Sequence, residues 1–219
     1  MDLLETVLDF IFPPVCGFCG KMGEGNLCTK CREDIIHSNS YFNQLDFYQG
    51  KDTFIDEHFY LFSYTQLIRE KILQYKFDDK AYLANTIYEF FMNNEKLYRF
   101  LKKYDIIIPI PISSSRKRER GYNQSELLAR KVSKMVGVPI ETKVLKKAKN
   151  NQPQSSLNKE QRKENVKNAY KVQNELKIQN KEILLLDDIY TTGSTANECA
   201  KILKEFGCIA VGILTIARD

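Results

Sequence analysis

The sequence has no apolar run approaching the ~20 residues that a membrane-spanning helix needs, which excludes that class of protein. It has only two histidines in 219 residues. His37 and His58 show no ligand spacing and read as ordinary surface or edge residues, so imidazole-based metal or proton chemistry has little to work with. No GxGxxG occurs, and no GxxxxGK[ST] lysine is present, which sets aside the dinucleotide fingerprint and the P-loop. The opening segment, MDLLETVLDFIFPP, carries acids but lacks a basic n-region and a small-residue cleavage site. It reads as a short amphipathic helix and not as a signal peptide, so the expected location is the cytoplasm, where thiols stay reduced.

What is present suffices for one domain of ordinary size with a small appendage: 43% of residues are hydrophobic. The net charge of +5 conceals an uneven distribution. Residues 1–105 carry 12 Lys/Arg against 16 Asp/Glu, residues 106–181 carry 18 against 6, and residues 182–219 carry 3 against 6. The middle third is therefore +12 (18 minus 6), an electrostatic footprint for a polyanion such as pyrophosphate, nucleic acid or both.

Four of the six cysteines stand in one short stretch, CGFCGKMGEGNLCTKC. Cys16, Cys19, Cys28 and Cys31 form two C-x-x-C knuckles, and the glycines around them allow tight turns that point thiolates inward. In a reducing compartment this spacing fits a closed tetrahedral Zn²⁺ site with a structural role. Free thiols or a disulfide are the alternative reading. Cys199 and Cys208 fall on apolar faces and read as small core residues.

Residues 38–56 are polar and irregular and read as a linker or loop. EHFYLFSY reads as a strand, QLIREKILQYKF, AYLANTIYEFFMNN and EKLYRFLKKY as helices, and YDIIIPIPI as a central parallel strand ended by Pro109 and Pro111. The helix SELLARKVSKMVG, a strand within VPIETKVLKK, a long polar loop over 148–168 and the closing strand CIAVGILTIARD follow. Strand–helix alternation from about residue 104 predicts a parallel α/β sheet.

The chain is organised around EILLLDDIYTTGSTANECA at 182–200. A buried strand ends in Asp187 and Asp188, a small hydroxyl loop runs from Thr191 through Thr192, Gly193, Ser194 and Thr195, and a helix follows. Backbone N–H groups and hydroxyls at such a helix N-terminus suit a phosphate, and two carboxylates beside it suit sugar hydroxyls. A sugar phosphate fits both. The second candidate strand end leads through Ser113 into Arg116, Lys117, Arg118 and Arg120, where a pyrophosphate could sit or where the charge is only solvated.

The acidic pair followed by TTGST resembles the PRPP (5-phosphoribosyl-1-pyrophosphate) signature of type I phosphoribosyltransferases. FPPVCGFCG with LCTKC, YKFDDKAYLA, IPIPISSSRKRERGYNQSELLA, NNQPQSSLNKEQRKENVKNAY and the terminal IAR extend the resemblance over most of the chain, to the ComF family. That resemblance implies a type I phosphoribosyltransferase fold, a parallel twisted sheet flanked by helices, over 51–219. The N-terminal helix and a small four-cysteine zinc-finger module would occupy 1–50. It implies ribose and Mg²⁺ at Asp187 and Asp188, the PRPP 5′-phosphate at the loop over 191–195, and pyrophosphate at Ser113, Arg116 and Arg120. Gln154, Arg162 and Lys163 would lie on a closing loop. The sequence departs from the family's usual pattern ahead of Gln154, with Lys147 and Asn151 where an Arg and a Thr are common.

The family context further implies DNA uptake in natural transformation, a helicase-like ATPase partner and single-stranded DNA nearby. Arg116, Lys117 and Arg118, with Tyr122 and Tyr170 as stacking surfaces, are the candidate strand contacts; the other reading gives the basic block to PRPP alone. Turnover with an unknown acceptor in sugar-phosphate or nucleotide salvage, outside competence, is the alternative function.

Overall fold

The structure, a computed structural model, describes residues 13–48, 53–77, 80–92, 94–148 and 167–219. The expected N-terminal helix and most of the 148–168 loop, with Gln154, Arg162 and Lys163, lie outside the described residues.

Seven strands are described: β1 (Tyr41–Phe47), β2 (Glu57–Ser63), β3 (Ile106–Pro109), β4 (Leu145–Lys147), β5 (Tyr170–Val172), β6 (Glu182–Tyr190) and β7 (Ala210–Arg218). The helices are α1 (Thr29–Ile36), α2 (Gln66–Phe77), α3 (Leu83–Glu89), α4 (Glu95–Leu101), α5 (Ser114–Arg120), α6 (Gln124–Val136) and α7 (Ser194–Glu205). The main sheet has the order β1-β2-β7-β6-β3, with β1 antiparallel and the rest parallel; β4 and β5 form a separate antiparallel pair.

The apolar runs of β6 and β7 are explained by burial on both faces. Along β6, Leu184 and Leu186 enter one core with α2, α3, α4 and α6, while Ile183 and Leu185 enter a second core with α7 and the β4–β5 pair. The period-2 alternation divides a continuous hydrophobic sequence between two layers. Cys199 and Cys208 are buried in the second core, as read from the sequence.

Three expectations are corrected. Residues 38–56 are not all loop, since β1 runs through 41–47 and pairs with β2. Its alternation is interrupted by a register shift between Tyr41 and Gln44, with Asn43 at φ 46°, and one face is solvated, so the sequence shows no clean strand pattern. β3 is not central but ends the main sheet. It is apolar because both faces are covered and because Ile140 bridges its outer edge, with Ile107 N donating to Pro139 O at 2.9 Å. That outward alternation places the imino nitrogen of Pro109 on the outer side, so β3 pairs with β6 through Pro109 and Ile110 N still reaches Leu186 O at 2.9 Å. His58 is neither surface nor edge: β2 lies between β1 and β7, and the ring is fully buried, with Nδ1 3.2 Å from Tyr48 Oη and Nε2 2.8 Å from Thr215 Oγ1. Burial pushes His58 down to about 3, so it stays neutral.

Candidate sugar-phosphate site

The carboxyl ends of β2, β3, β6 and β7 point the same way, and a cleft of about 400 Å³ lies beyond them, lined by Tyr64, residues 110–112, residues 187–196 and Asp219. Open α/β sheets place ligands at this end. Asp187 Oδ1 accepts hydrogen bonds from Ser125 Oγ at 3.1 Å and from the Asp188 backbone N–H at 2.9 Å. Asp188 pairs with Lys76 Nζ at 2.8 Å. Burial, then the neighbouring Asp188 carboxylate, pushes Asp187 up to about 7, against the pull of Lys76 and the two hydrogen bonds.

The loop after β6 turns at Gly193, which adopts φ 69° and forms the N-terminal cap position of α7. A Cβ there would collide with the Tyr190 ring, itself packed on His58 at 4.3 Å between centroids. Only glycine fits both the left-handed backbone and the close approach. Thr192 Oγ1 and Ser194 Oγ lie 2.8 Å apart, and Asn197 N donates to Gly193 O at 2.8 Å, so the first turn of α7 is closed and its hydroxyls are gathered at the cleft.

Five cations surround this acidic floor: Arg69 and Lys76 from α2, Arg116 and Arg120 from α5, and Lys147 from β4. Against three carboxylates, Asp187, Asp188 and Asp219, the lining is net +2 (5 minus 3). Arg120 stacks on Phe77 at 4.5 Å, and its Nε is buried without a hydrogen-bond partner among the described residues. Burial first, then Arg116, depresses both Arg120 and Lys147. Crowded cations of this kind suit a multiply charged anion.

The basic run after β3 is divided by the helix it forms. Arg116 and Arg120, four apart, face the cleft; Lys117 lines a neighbouring concavity; Arg118 is exposed and lines neither. Ser113 is the N-cap of α5, its hydroxyl oxygen accepting from Arg116 N at 3.3 Å, and it does not line the cleft. Tyr170 is no stacking platform, because it is 3% exposed beneath Lys147. Tyr122 is half-buried, its hydroxyl donating to Tyr75 O at 2.5 Å. Sequence reasoning missed Lys76, Arg69, Tyr64 and Ser125: Lys76 and Ser125 lie in stretches that carry the family resemblance but were given no role, and Arg69 and Tyr64 lie in none.

The four N-terminal cysteines meet. Their sulfur atoms all lie within 4.8 Å of one another, and Cys19 Sγ is 3.8 Å from Cys28 Sγ. Tetrahedral Zn–S bonds of about 2.3 Å require sulfurs about 3.8 Å apart, so the donor set fits zinc. The Cys28 N–H donates to Cys16 Sγ at 3.4 Å, and the Cys31 N–H to Cys28 Sγ at 3.5 Å. Backbone N–H groups outweigh burial at Cys16 and hold that thiol down at about 6, while burial and the neighbouring thiols raise Cys31.

The chain is similar to known proteins in both of its parts. The phosphoribosyl transferase domain family matches residues 122–219, and the double zinc ribbon domain family matches residues 7–41. Competence protein F of Haemophilus influenzae is 31% identical over 153 residues, 67% of this chain and 66% of that protein. Competence protein ComFC of Streptococcus pneumoniae is 29% identical over 198 residues, 90% of this chain and 83% of its own length. DNA utilization protein YhgH of Salmonella typhimurium is 28% identical over 158 residues, covering 71% and 69%. A glutamine PRPP amidotransferase from B. subtilis overlaps 54% of this chain and 24% of its own at 17% identity, with a TM-score of 0.36.

Proposed function

Because the chain belongs to the ComF family, a phosphoribosyltransferase fold joined to a four-cysteine zinc ribbon, we propose that its cleft binds PRPP and that the protein serves DNA uptake in natural transformation. A helicase-like ATPase and single-stranded DNA are the proposed partners. The observation that carries the PRPP reading is the convergence at one cleft of the Asp187–Asp188 pair, the hydroxyl loop over 191–195 and five cations.

In this reading the backbone and hydroxyls of Thr191, Thr192, Gly193, Ser194 and Thr195 hold the 5′-phosphate. Asp187 and Asp188 accept hydrogen bonds from the ribose hydroxyls. Arg116, Arg120 and Lys147 face the pyrophosphate, and Ser113 acts through α5 as its cap. Asp187 and Asp188 would hold Mg²⁺ together with the sugar hydroxyls, and the ion would supply charge neutralisation at the pyrophosphate. Asp188 exchanges Lys76 for the sugar, and Lys76 is then free to turn toward the anion. The loop containing Gln154, Arg162 and Lys163 would close over the ligand. The zinc ribbon is a module attached to the phosphoribosyltransferase domain, and the chain from β1 onward belongs to the main sheet, so the boundary falls ahead of Tyr41 and not at residue 50.

A second reading, turnover with an acceptor outside competence, is favoured by the apolar part of the cleft lining. Tyr64, Leu73 and Phe77 leave an apolar surface beside the sugar-phosphate floor where an acceptor could lie. Transfer would break the C1–O bond to pyrophosphate and form a bond from C1 to the acceptor, which loses its proton. Pyrophosphate release that depends on an added acceptor would establish turnover. Equilibrium dialysis with labelled PRPP and Mg²⁺ tests the binding itself: Asp187→Asn/Asp188→Asn is expected to lose at least about tenfold in affinity, and unchanged affinity would overturn the site.

A further inference from the structure

Beside the main cleft, beyond Lys147, lies a second concavity of about 250 Å³ that the sugar-phosphate reading does not use. Four lysines line it: Lys117 from α5, Lys143 and Lys146 from the approach to β4 and from β4 itself, and Lys147, which also lines the cleft. One carboxylate faces them, that of Glu126, and it is already shared by Lys117 at 3.6 Å and Arg130 at 2.6 Å. The ammonium groups of Lys143 and Lys146 have no ion-pair or hydrogen-bond partner among the described residues, and Lys146 stands opposite Lys171 across the β4–β5 ladder. Elsewhere Lys76, Lys177 and Lys204 reach carboxylates at 2.8, 2.7 and 2.8 Å.

The frame beneath these lysines is fixed. β4 pairs with β5, Gln173 N donates to Val144 O at 2.7 Å, and Glu141 N donates to Ile107 O at 2.9 Å, which ties the approach to β4 onto the edge of the main sheet. Unbalanced like charges on a rigid, concave support repel one another until an anion enters. The hydroxyls of Ser114 and Thr142 stand on the same wall and can donate to phosphate oxygens. The volume is below the ~300 Å³ of an ordinary small-molecule pocket, which suits one phosphate group of a longer ligand.

We propose that this pocket is a second phosphate-binding site, distinct from the sugar-phosphate cleft and coupled to it through Lys147. The recognised chemistry is the oxygen of a phosphate ester or anhydride. Its source is either the backbone of a single-stranded nucleic acid or free pyrophosphate. Because both sites draw on Lys147, occupation of one weakens the other, and by linkage the factor is the same in both directions. The second site itself does not depend on the cleft binding PRPP; only the coupling through Lys147 rests on that reading.

The test uses the full zinc-loaded chain, titrated with inorganic pyrophosphate, with a short oligothymidylate and with PRPP–Mg²⁺. Lys143→Gln/Lys146→Gln is compared with Lys102→Gln/Lys201→Gln, which removes equal charge elsewhere; these side chains lie outside the core, so folding is preserved. The pocket variant is expected to lose about tenfold in affinity for its ligand. For a strand, its salt slope should fall by about 0.7 per lost phosphate contact. Loss confined to oligothymidylate identifies a strand, and loss confined to pyrophosphate identifies the free anion. Equal behaviour of the two variants toward both probes overturns the site, as does an equal loss of PRPP affinity. If wild type binds a probe through these lysines but does not bind PRPP, the second site stands and the sugar-phosphate reading falls.

Discussion

Asp187 links the chemistry of the site to the stability of the fold. Its carboxyl is held at about 7 in the folded chain against an ordinary 3.8, so the folded state binds the extra proton between those values. Its contribution therefore favours folding at low pH and is lost as pH rises from 3.8 toward about 7. Chemical denaturation across this window should show a downward stability slope that Asp187→Asn removes. On the proposed reading PRPP–Mg²⁺ takes the ionised carboxylate, so affinity should rise with pH through about 7; a flat profile would contradict the assignment. Gly193 makes a second residue-scale test. Gly193→Ala would place a methyl against Tyr190 in a left-handed backbone, at a cost of about 1–3 kcal/mol. A lowered thermal midpoint together with weakened PRPP binding is the expected result.

Among the elements, α2 carries the most consequence for the least sequence signal. One face presents Arg69, Leu73, Lys76 and Phe77 to the cleft, while Ile68, Ile72 and Tyr75 enter the core. Lys71 reaches back to the first zinc knuckle, its Nζ donating to Phe18 O at 2.9 Å. The ribbon also grips α3: Thr86 Oγ1 donates to Asn26 O at 2.9 Å, Gly17 packs so closely on Thr86 and Leu83 that a Cβ would collide, and Arg32 pairs with Glu89 at 3.0 Å. Removing zinc with a chelator should free α2 and weaken PRPP binding several-fold, and Lys71→Met should do the same in part. Unchanged PRPP affinity in the metal-free protein would show that the ribbon serves something else. The β6–loop–α7 element was legible because strand, acids, loop and helix are contiguous, and each local pattern agrees with its neighbours. α5 was not, because a seven-residue helix composed of serines and charges has no apolar period to reveal it, and its helical turn decides which arginines share the cleft.

At the scale of the whole molecule, the parallel sheet and the zinc cluster follow from the sequence, while the completed site does not. Lys76, Lys147 and Tyr64 reach the cleft, and Ser125 reaches Asp187, only because β2, β7, β6 and β3 end in one row, a long-range outcome of strand order. His58 shows the same limit, since a lone histidine in an apolar strand gives no sign that strands will cover both its sides. The uneven charge was legible, but its division between two adjoining concavities was not. The measurement that bears most directly on the account is a crystal structure of the zinc-loaded chain soaked with PRPP and Mg²⁺. The account predicts the 5′-phosphate on the loop from Thr191 to Thr195, the ribose hydroxyls on Asp187 and Asp188 with Lys76 displaced, and the pyrophosphate against Arg116 and Arg120. A sugar phosphate bound elsewhere, or an empty cleft with the Lys76–Asp188 pair intact at saturating ligand, would contradict it.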